Sequence, residues 1–340
     1  MTVIALRALL VGAGGMGQGW ADNLTSCDKV ELSGWVDLNL DTVTQAAEAR
    51  KLSGVYITDD LGKAIAVVKP DFLVDVTIPQ AHHQVTIQAL KAGVPVIGEK
   101  PMADTMEQAR EMVEVSRSTG MLYMVSQNRR YDARVQAFRD LVRAKLGETG
   151  ILNSDFYIGA HFGGFRDEME HPLIKDMAIH TLDSARFITG ADPVAVYCEA
   201  FNPSWSWYKG DACATAIFEM TGGIRYTYRG SWCSEGHHTS WRASWRAVGS
   251  RGTAVWDGLD IMSADIVSQT GGFHSEFENI VPEVKTLENE SIAGSLHEFL
   301  HALATGETPM CECQDNIKSL AMVFGAIESA RTGARVKIEI

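Results

Sequence analysis

The sequence is poor in cysteine and has no long apolar run. Its 340 residues include six cysteines but no Cys-x-x-Cys pair, and Cys311 and Cys313 have no histidine nearby at zinc-finger spacing. We therefore expect no disulfide scaffold and no structural metal, and a reducing, cytoplasmic compartment fits this usage. No apolar run reaches the ~18 residues that span a bilayer. The apolar N-terminus contains Arg7 and ends in glycines, which favours a buried first strand over a signal peptide.

Positive charge is also scarce. Lysine and arginine total 30 against 43 acidic residues, and the net charge is −13. Such a chain repels phosphate backbones, so we expect no nucleic-acid partner and no membrane partner, only a small molecule. The hydrophobic fraction of 46% is that of a folded globular protein, and the length suggests about two domains.

Residues 1–127 alternate short apolar runs with amphipathic stretches. The runs are apolar on both faces, as in buried parallel strands. Helical patterns separate them at 84–92 and Met106–Thr119. This alternation predicts an α/β domain, a Rossmann doubly wound parallel sheet. The predicted strands are 5–11, 30–36, 72–76, 95–98 and 123–127.

The pattern changes in residues 128–340, which we assign to a second domain for substrate binding and oligomerisation. Longer apolar runs follow one another with glycine turns between them, which predicts an α+β domain with a mostly antiparallel sheet. One helix is expected before these strands at 132–145, and helices at 295–305 and 315–332 precede a last strand at 335–340. The expected strands are 151–157, 194–201, Cys213–Met220, 224–229 and 245–256.

A glycine-rich turn follows the first predicted strand directly. Residues 12–17 read Gly-Ala-Gly-Gly-Met-Gly, the G-x-G-x-x-G pattern of dinucleotide-binding folds. Gly12 permits the tight turn, Gly14 admits the pyrophosphate, and Gly17 allows close packing of helix on strand. The helix that begins here offers free N–H groups to the phosphates. The alternative is an ordinary glycine-rich turn.

Asp37 lies 20 residues after Gly17, at the end of the second predicted strand. Its carboxylate can accept hydrogen bonds from both ribose hydroxyls and would repel a 2′-phosphate. No arginine or lysine follows it at positions 38–40. The sequence therefore predicts NAD as the cofactor, with NADP disfavoured.

Several short motifs together resemble one enzyme family. Gly-Glu-Lys-Pro at 98–101, Thr77-Ile78-Pro79 with His82, and Asp176-x-x-x-His180-x-x-Asp183 resemble motifs of the glucose–fructose oxidoreductase/inositol dehydrogenase family (Gfo/Idh/MocA). Asn-Arg-Arg-Tyr at 128–131 and the tail from His297 to Gly333 are similar as well. Ala178 departs from the glycine frequent in the family. Residues 158–175 and 202–246 match no subfamily, so the substrate is not indicated.

The resemblance implies hydride transfer between a nicotinamide and a secondary carbinol of a sugar, cyclitol or sugar acid. It also implies a large open sheet in the C-terminal domain, used for homodimer or homotetramer contacts. Two rivals remain: a lyase or glycosidase that oxidises its sugar only transiently, and an NAD-sensing regulator without catalysis.

Three residues are the candidate catalytic group. Asp176 and His180 lie four apart and share a helix face, so the carboxylate can orient the imidazole as a general base or acid. Lys100 follows a strand at its carboxyl end and can stabilise a developing alkoxide. By resemblance these three also contact substrate, together with Arg130. The alternative is a structural ion pair between Lys100 and Asp176 beside a packed His180.

Other residues are expected to line the cofactor. Residues 77–79 are expected to run beneath it, and His82 either lies near the nicotinamide or caps the following helix. Glu99 either contacts the nicotinamide ribose or amide, or is an ordinary helix-entry acid. The cofactor-binding set is Gly12, Gly14, Gly15, Met16, Gly17, Asp37, Thr77, Ile78, Pro79, His82, Glu99, Lys100 and Gln127.

A histidine motif near the C-terminus and the distribution of the tryptophans are the remaining features of the sequence. Residues 297–301 read His-Glu-Phe-Leu-His, the pattern of zinc peptidases, but no third ligand follows and the apolar neighbours form an ordinary core stripe, so we expect no metal. Six of the eight tryptophans lie after residue 200. We expect most to fill the core or an interface, with Trp205 or Trp232 lining the pocket.

Overall fold

The computed structural model describes residues 5–340, which fall into two compact units. The first unit contains residues up to Asn128 together with Ile292–Ile317, and the second contains Arg129–Ser291 and Lys318–Ile340. The first unit thus ends one residue past the predicted boundary and includes a segment that was predicted to belong to the second domain. Within residues 5–340, every helix is too short or too polar to cross a membrane.

The first unit is built on a six-stranded sheet in the order β3-β2-β1-β4-β5-β6, with every pair parallel. This is the doubly wound order predicted for a Rossmann domain. Its elements are β1 Leu6–Val11, α1 Gly15–Ser26, β2 Val30–Val36, α2 Leu40–Ala49, β3 Tyr56–Thr58, α3 Leu61–Val68, β4 Phe72–Asp75, α4 Pro79–Lys91, β5 Val96–Glu99, α5 Met106–Thr119 and β6 Tyr123–Ser126.

Local chemistry fixes where these helices begin and end. The side chains of Asn39, Asp60 and Thr105 each accept a backbone N–H of the first turn of α2, α3 and α5. Gly120 ends α5 in the left-handed conformation, as predicted. Helix α4 begins at Pro79, earlier than predicted, because proline is favoured in a first helical turn.

Helix α8, Ser291–Thr305, packs on the Rossmann sheet. The ring of Phe299 lies edge-on to Phe72 of β4 at 5.6 Å between centroids. Just beyond the helix, Cys311 O accepts the backbone N–H of Val125 in β6 at 3.0 Å. These contacts explain why a segment so late in the chain belongs to the first unit.

The second unit carries a nine-stranded sheet in the order β14-β13-β12-β11-β7-β10-β9-β8-β15. All neighbours are antiparallel except β7 and β10. Its strands are β7 Thr149–Tyr157, β8 Pro193–Phe201, β9 Cys213–Met220, β10 Arg225–Ser231, β11 Ser244–Gly249, β12 Gly252–Trp256, β13 Met262–Gln269, β14 Glu276–Ile280 and β15 Val336–Lys337.

Helices cover this sheet. They are α6 Ala133–Lys145, α7 Ile179–Thr189 and the longer α9 Cys313–Thr332, whose residues from Lys318 belong to this unit. The mixed architecture is the predicted fold class, and it is confirmed. The differences are local: 245–256 forms two strands rather than one, β15 is shorter than predicted, and β3, β13 and β14 were not predicted.

Candidate active site

The glycine turn between β1 and α1 requires two of its glycines. Gly12 has φ +105°, and a Cβ there would lie 2.5 Å from Val76 O. A Cβ on Gly17 would lie 2.2 Å from Gly12 O. Since both obstacles are backbone atoms, only glycine permits helix α1 to start this close to the sheet.

Open space lies over the start of helix α1. A Cβ on Gly14 or Gly15 would meet nothing within 4 Å, and no side chain caps the helix. Its first N–H groups therefore point into a space that a pyrophosphate can occupy, where the helix dipole favours negative charge. Met16 is exposed beside this space.

Asp37 closes one side of the cradle. Its carboxylate accepts the Ala13 N–H at 2.6 Å and the Asn39 N–H at 2.8 Å. These bonds fix the carboxylate beside the glycine turn, and each oxygen keeps a lone pair for a ribose hydroxyl. The next side chain, Leu38, is almost fully exposed and supplies no cation for a 2′-phosphate.

A buried polar atom at the end of β6 also fits a cofactor. Gln127 is buried, and its Nε2 has no hydrogen-bond partner among residues 5–340. Buried amide donors are almost always paired, so this atom indicates a missing acceptor. With the open cradle and Asp37, it shows that the first unit has the shape and the donors to hold a dinucleotide.

Below the turn that joins β4 to α4, Asp75 collects several hydrogen bonds. Its Oδ1 accepts the N–H and the hydroxyl of Thr77 at 3.1 and 2.7 Å, and it lies 3.1 Å from His82 Nδ1. Its Oδ2 accepts the hydroxyl of Thr86 at 3.2 Å. Asp75 and His82 are both buried. The network holds residues 77–79 at the sheet edge, while Ile78 remains exposed.

The electrostatics of His82 follow from this network. Burial by itself lowers the pKa of His82, but the charge and hydrogen bond of Asp75, together with the charge of Glu99, raise it more. The net effect is a raised pKa, which favours a buried cation beside the β4–α4 turn. His82 lies in the second turn of α4, so the helix-capping alternative does not describe it.

Glu99 and Lys100 follow one another at the end of β5. Glu99 Oε1 accepts the indole N–H of Trp20 at 2.7 Å, and Oε2 lies 3.3 Å from the Lys100 backbone N. Burial raises the pKa of Glu99, opposed by the Trp20 hydrogen bond and by the charge of Lys100. Glu99 thus braces strand β5 against α1, and Lys100 follows at the carboxyl edge of the sheet.

In the second unit, Asp176 and His180 lie on one continuous helical segment. Leu173–Ala178 has π-helical geometry and runs directly into α7. Four residues make about one turn in either geometry, so both side chains lie on one face. Asp176 Oδ2 accepts the Arg166 Nε–H at 2.7 Å. His180 is buried, and its carbonyl accepts the Ser184 hydroxyl.

Arg130 forms a buried ion pair. Its Nε and Nη2 donate to the two oxygens of Asp183 at 2.9 and 2.6 Å, and Ser319 adds a third hydrogen bond to that carboxylate. This bidentate pair joins the segment before α6 to helices α7 and α9. Its geometry accounts for Arg130 as a structural residue, and the substrate role stays a prediction.

The two histidines of the zinc-peptidase pattern have different partners. His297 Nε2 lies 3.9 Å from Cys27 Sγ, and His301 Nε2 lies 3.0 Å from Glu307. The intervening Glu298 accepts the Met310 N–H. In the described part of the chain, no three histidine, cysteine or acidic side chains gather as metal ligands do.

Two family models match the chain. One is described as an oxidoreductase family with an NAD-binding Rossmann fold and matches residues 6–127. The other is the C-terminal domain of the same family and matches residues 135–255. The chain belongs to the Gfo/Idh/MocA family. As a Gfo/Idh/MocA protein it is an oxidoreductase with an NAD-binding Rossmann domain, as the glycine turn and Asp37 predicted.

Several relatives of this Gfo/Idh/MocA chain align with nearly its whole length. An uncharacterized protein of Sinorhizobium fredii is 28% identical over 98% of this chain and 96% of its own. D-apiose dehydrogenase of Paraburkholderia graminis is 24% identical over 99% and 91%. An oxidoreductase of Agrobacterium radiobacter, solved with NAD⁺, L-tartaric acid and magnesium, has the same fold, with a TM-score of 0.83, 22% identity and 98% coverage of both chains.

Sequence reasoning did not find every residue of this Gfo/Idh/MocA site. It missed Asp75, which ends an apolar strand and gives no sign of its hydrogen bonds. Arg166 was predicted either to recognise an acidic sugar or, more commonly, to form an exposed salt bridge, and in the structure it pairs with Asp176. The Phe-Gly-Gly-Phe-Arg sequence at 162–166 was the available signal, because such a turn is built to present its side chains.

Proposed function

We propose that this protein is an NAD-dependent dehydrogenase that oxidises a secondary hydroxyl of a sugar, cyclitol or sugar acid. The observation that supports it best is the Asp176–His180 pair, one helical turn apart, with Asp176 held by Arg166. A carboxylate beside a histidine is the arrangement that prepares an imidazole to accept a proton. The name of the D-apiose dehydrogenase relative supports a sugar as substrate.

Each candidate side chain has one task. NAD supplies the hydride acceptor when it is bound in the cradle. His180 takes the proton from the hydroxyl that is oxidised, and returns it in the reverse direction. Asp176 orients the imidazole and stabilises its protonated form. Lys100 donates a hydrogen bond to the substrate oxygen and stabilises the negative charge that develops there.

A substrate panel tests the proposal. Purified protein is mixed with NAD⁺ and a series of sugars, cyclitols and sugar acids, and the absorbance of reduced nicotinamide is followed. We expect one class to be oxidised, and we expect His180→Ala and Lys100→Ala to lower kcat by about 100-fold or more. His301→Ala is the matched control, because this exposed histidine lies in the first unit and pairs with Glu307.

Other outcomes would favour the rivals. Sugar cleavage without net NADH would indicate transient oxidation with retained NAD. Tight NAD binding with no turnover of any compound would indicate a sensor. If His180→Ala and Lys100→Ala kept full turnover of the best substrate, the assignment of these residues would be wrong.

The same proposal places the enzyme in the cytoplasm as a homodimer or homotetramer that associates through the nine-stranded sheet. The outward face of that sheet carries exposed apolar side chains at Tyr197, Phe201 and Ile217. Exposed apolar patches of this kind often mark interfaces. Light scattering on the purified protein measures the assembly directly, and a monomer at all concentrations would contradict this part.

A further inference from the structure

Three exposed aromatic rings form a cluster in the second unit near Arg166, the hydrogen-bond partner of Asp176. They belong to Phe162, Phe165 and Trp241, which we call the aromatic wall, and their exposed fractions are 52%, 63% and 48%. Gly163 and Gly164 lie between the two phenylalanines, both with positive φ of +69° and +67°. This conformation favours glycine, so the turn that presents the rings is specified by the sequence.

The wall stands on a packed aromatic base. The ring of Phe162 lies 5.6 Å from that of Trp232 and 6.3 Å from that of Trp241. Trp232 is buried and stacks on Tyr208 at 5.7 Å, with an interplanar angle of 15°. Because Phe162 packs on the buried Trp232, the wall rests on a packed side chain, and such preorganisation favours recognition of a ligand.

Arg166 ties the wall to the candidate catalytic carboxylate. Its guanidinium carbon lies 5.1 Å from the centre of the Phe162 ring and 4.7 Å from that of Phe165. The same guanidinium donates to Asp176. A substrate atom that contacts Asp176 is therefore separated from the aromatic wall only by the Arg166 side chain.

The charge around the wall indicates an uncharged ligand. Asp167, Glu168 and Glu170 follow the turn, and Glu235 bonds His161, the residue before Phe162. Three cations near the wall are paired, Arg166 with Asp176, Lys209 with Glu168, and Arg242 with Asp132, and Lys175 beside Asp176 adds a further positive charge. An acidic ring would be repelled here, whereas flat aromatic faces attract the C–H surface of a sugar or a second aromatic ring.

We propose that the aromatic wall is a subsite for a second, uncharged ring of the substrate, so that the substrate is a glycoside and not a free monosaccharide. The proposal rests on the proposed function, since Asp176 is taken as part of the catalytic group. The oxidised ring lies at Asp176, and the ring attached through the glycosidic oxygen stacks on Phe165 and Trp241.

The test compares matched glycosides. kcat/KM is measured with NAD⁺ for methyl and phenyl β-D-glucopyranoside, for the corresponding galactopyranosides, and for the free sugars. We expect the phenyl glycoside to exceed the methyl glycoside by about tenfold, and we expect Phe165→Leu and Trp241→Leu to bring this ratio close to one. Phe273→Leu, in the same unit but almost fully exposed and away from Arg166, should keep the ratio.

A second readout does not need turnover. Saturation-transfer NMR of phenyl β-D-glucopyranoside should show strong transfer to the phenyl protons in the wild type and little in the two wall variants. This keeps the subsite testable even if no compound reduces NAD, in which case the proposed function fails by itself.

Several outcomes would overturn the subsite while the proposed function stands. They are oxidation of free sugars but of no glycoside, equal rates for phenyl and methyl glycosides, and a parallel loss of both in the wall variants. A fall of the molecular mass to that of a monomer in Phe165→Leu would also overturn it, because the wall would then be a contact between copies of the chain.

Discussion

Among single residues, we propose that the carboxylate of Asp37 decides which nicotinamide cofactor binds. It is held by two backbone N–H groups beside the cradle. Asp37→Asn keeps the shape but removes the charge, so we expect kcat/KM for NAD to fall roughly tenfold and the preference for NAD over NADP to shrink. Steady-state kinetics with both cofactors measures this. Asp41→Asn, an exposed acid of α2, is the control, and an unchanged preference in Asp37→Asn would contradict the assignment.

His82 makes the free energy of unfolding depend on pH. Burial opposes the charged form of His82, but Asp75 and Glu99 outweigh it and raise the folded-state pKa above the ordinary value of 6.5. The stabilisation is therefore complete below about pH 6.5 and is lost as the pH rises through the folded value. We expect the difference in unfolding free energy between wild type and His82→Gln to be larger at about pH 6 than at about pH 9, as measured by urea denaturation.

A matched control for His82 is its neighbour. His83 lies on the outer side of α4 and pairs with the exposed Glu111 at 2.8 Å. We expect His83→Gln to lower the free energy of unfolding by less than about 1 kcal/mol. An equal loss of unfolding free energy in His82→Gln at both pH values would show that His82 is neutral in the folded protein.

At the scale of elements, the Arg130–Asp183 pair holds together three helical segments. Both side chains are buried, and removal of one charge leaves the other without compensation. We expect Asp183→Asn to lower the unfolding free energy by about 3–5 kcal/mol, measured by urea denaturation. Asp260→Asn removes the exposed partner of Arg134 and should cost less than about 1 kcal/mol. Similar losses in both variants would contradict the structural role of Arg130.

The elements also show how much of the fold could be predicted. Met106–Thr119 has the predicted limits because Thr105 and Gly120 mark both ends. Tyr56–Thr58 is too short for its periodicity to be recognised. Glu276–Ile280 is exposed or half-buried throughout, so it carries no apolar alternation. Strands β3 and β14 are set by pairing with their neighbours, which a single sequence does not display.

The site was predictable where its chemistry is local. The glycine turn and Asp37 follow one another at a fixed spacing, and the cofactor prediction is confirmed. Hydrogen bonds between distant or irregular segments were not predictable: Arg166 reaches Asp176 from a turn ten residues away, and Trp20 reaches Glu99 across the sheet. The catalytic assignment of Lys100, Asp176 and His180 stays a prediction.

For the molecule as a whole, the proposed reaction passes a hydride from a substrate carbon to NAD. The most direct measurement uses the best substrate of the panel with deuterium on the carbinol carbon. We expect deuterium at C4 of the NADH that is formed, and a much lower rate of NADH formation with His180→Ala. NADH or product that forms without deuterium in the cofactor would contradict it.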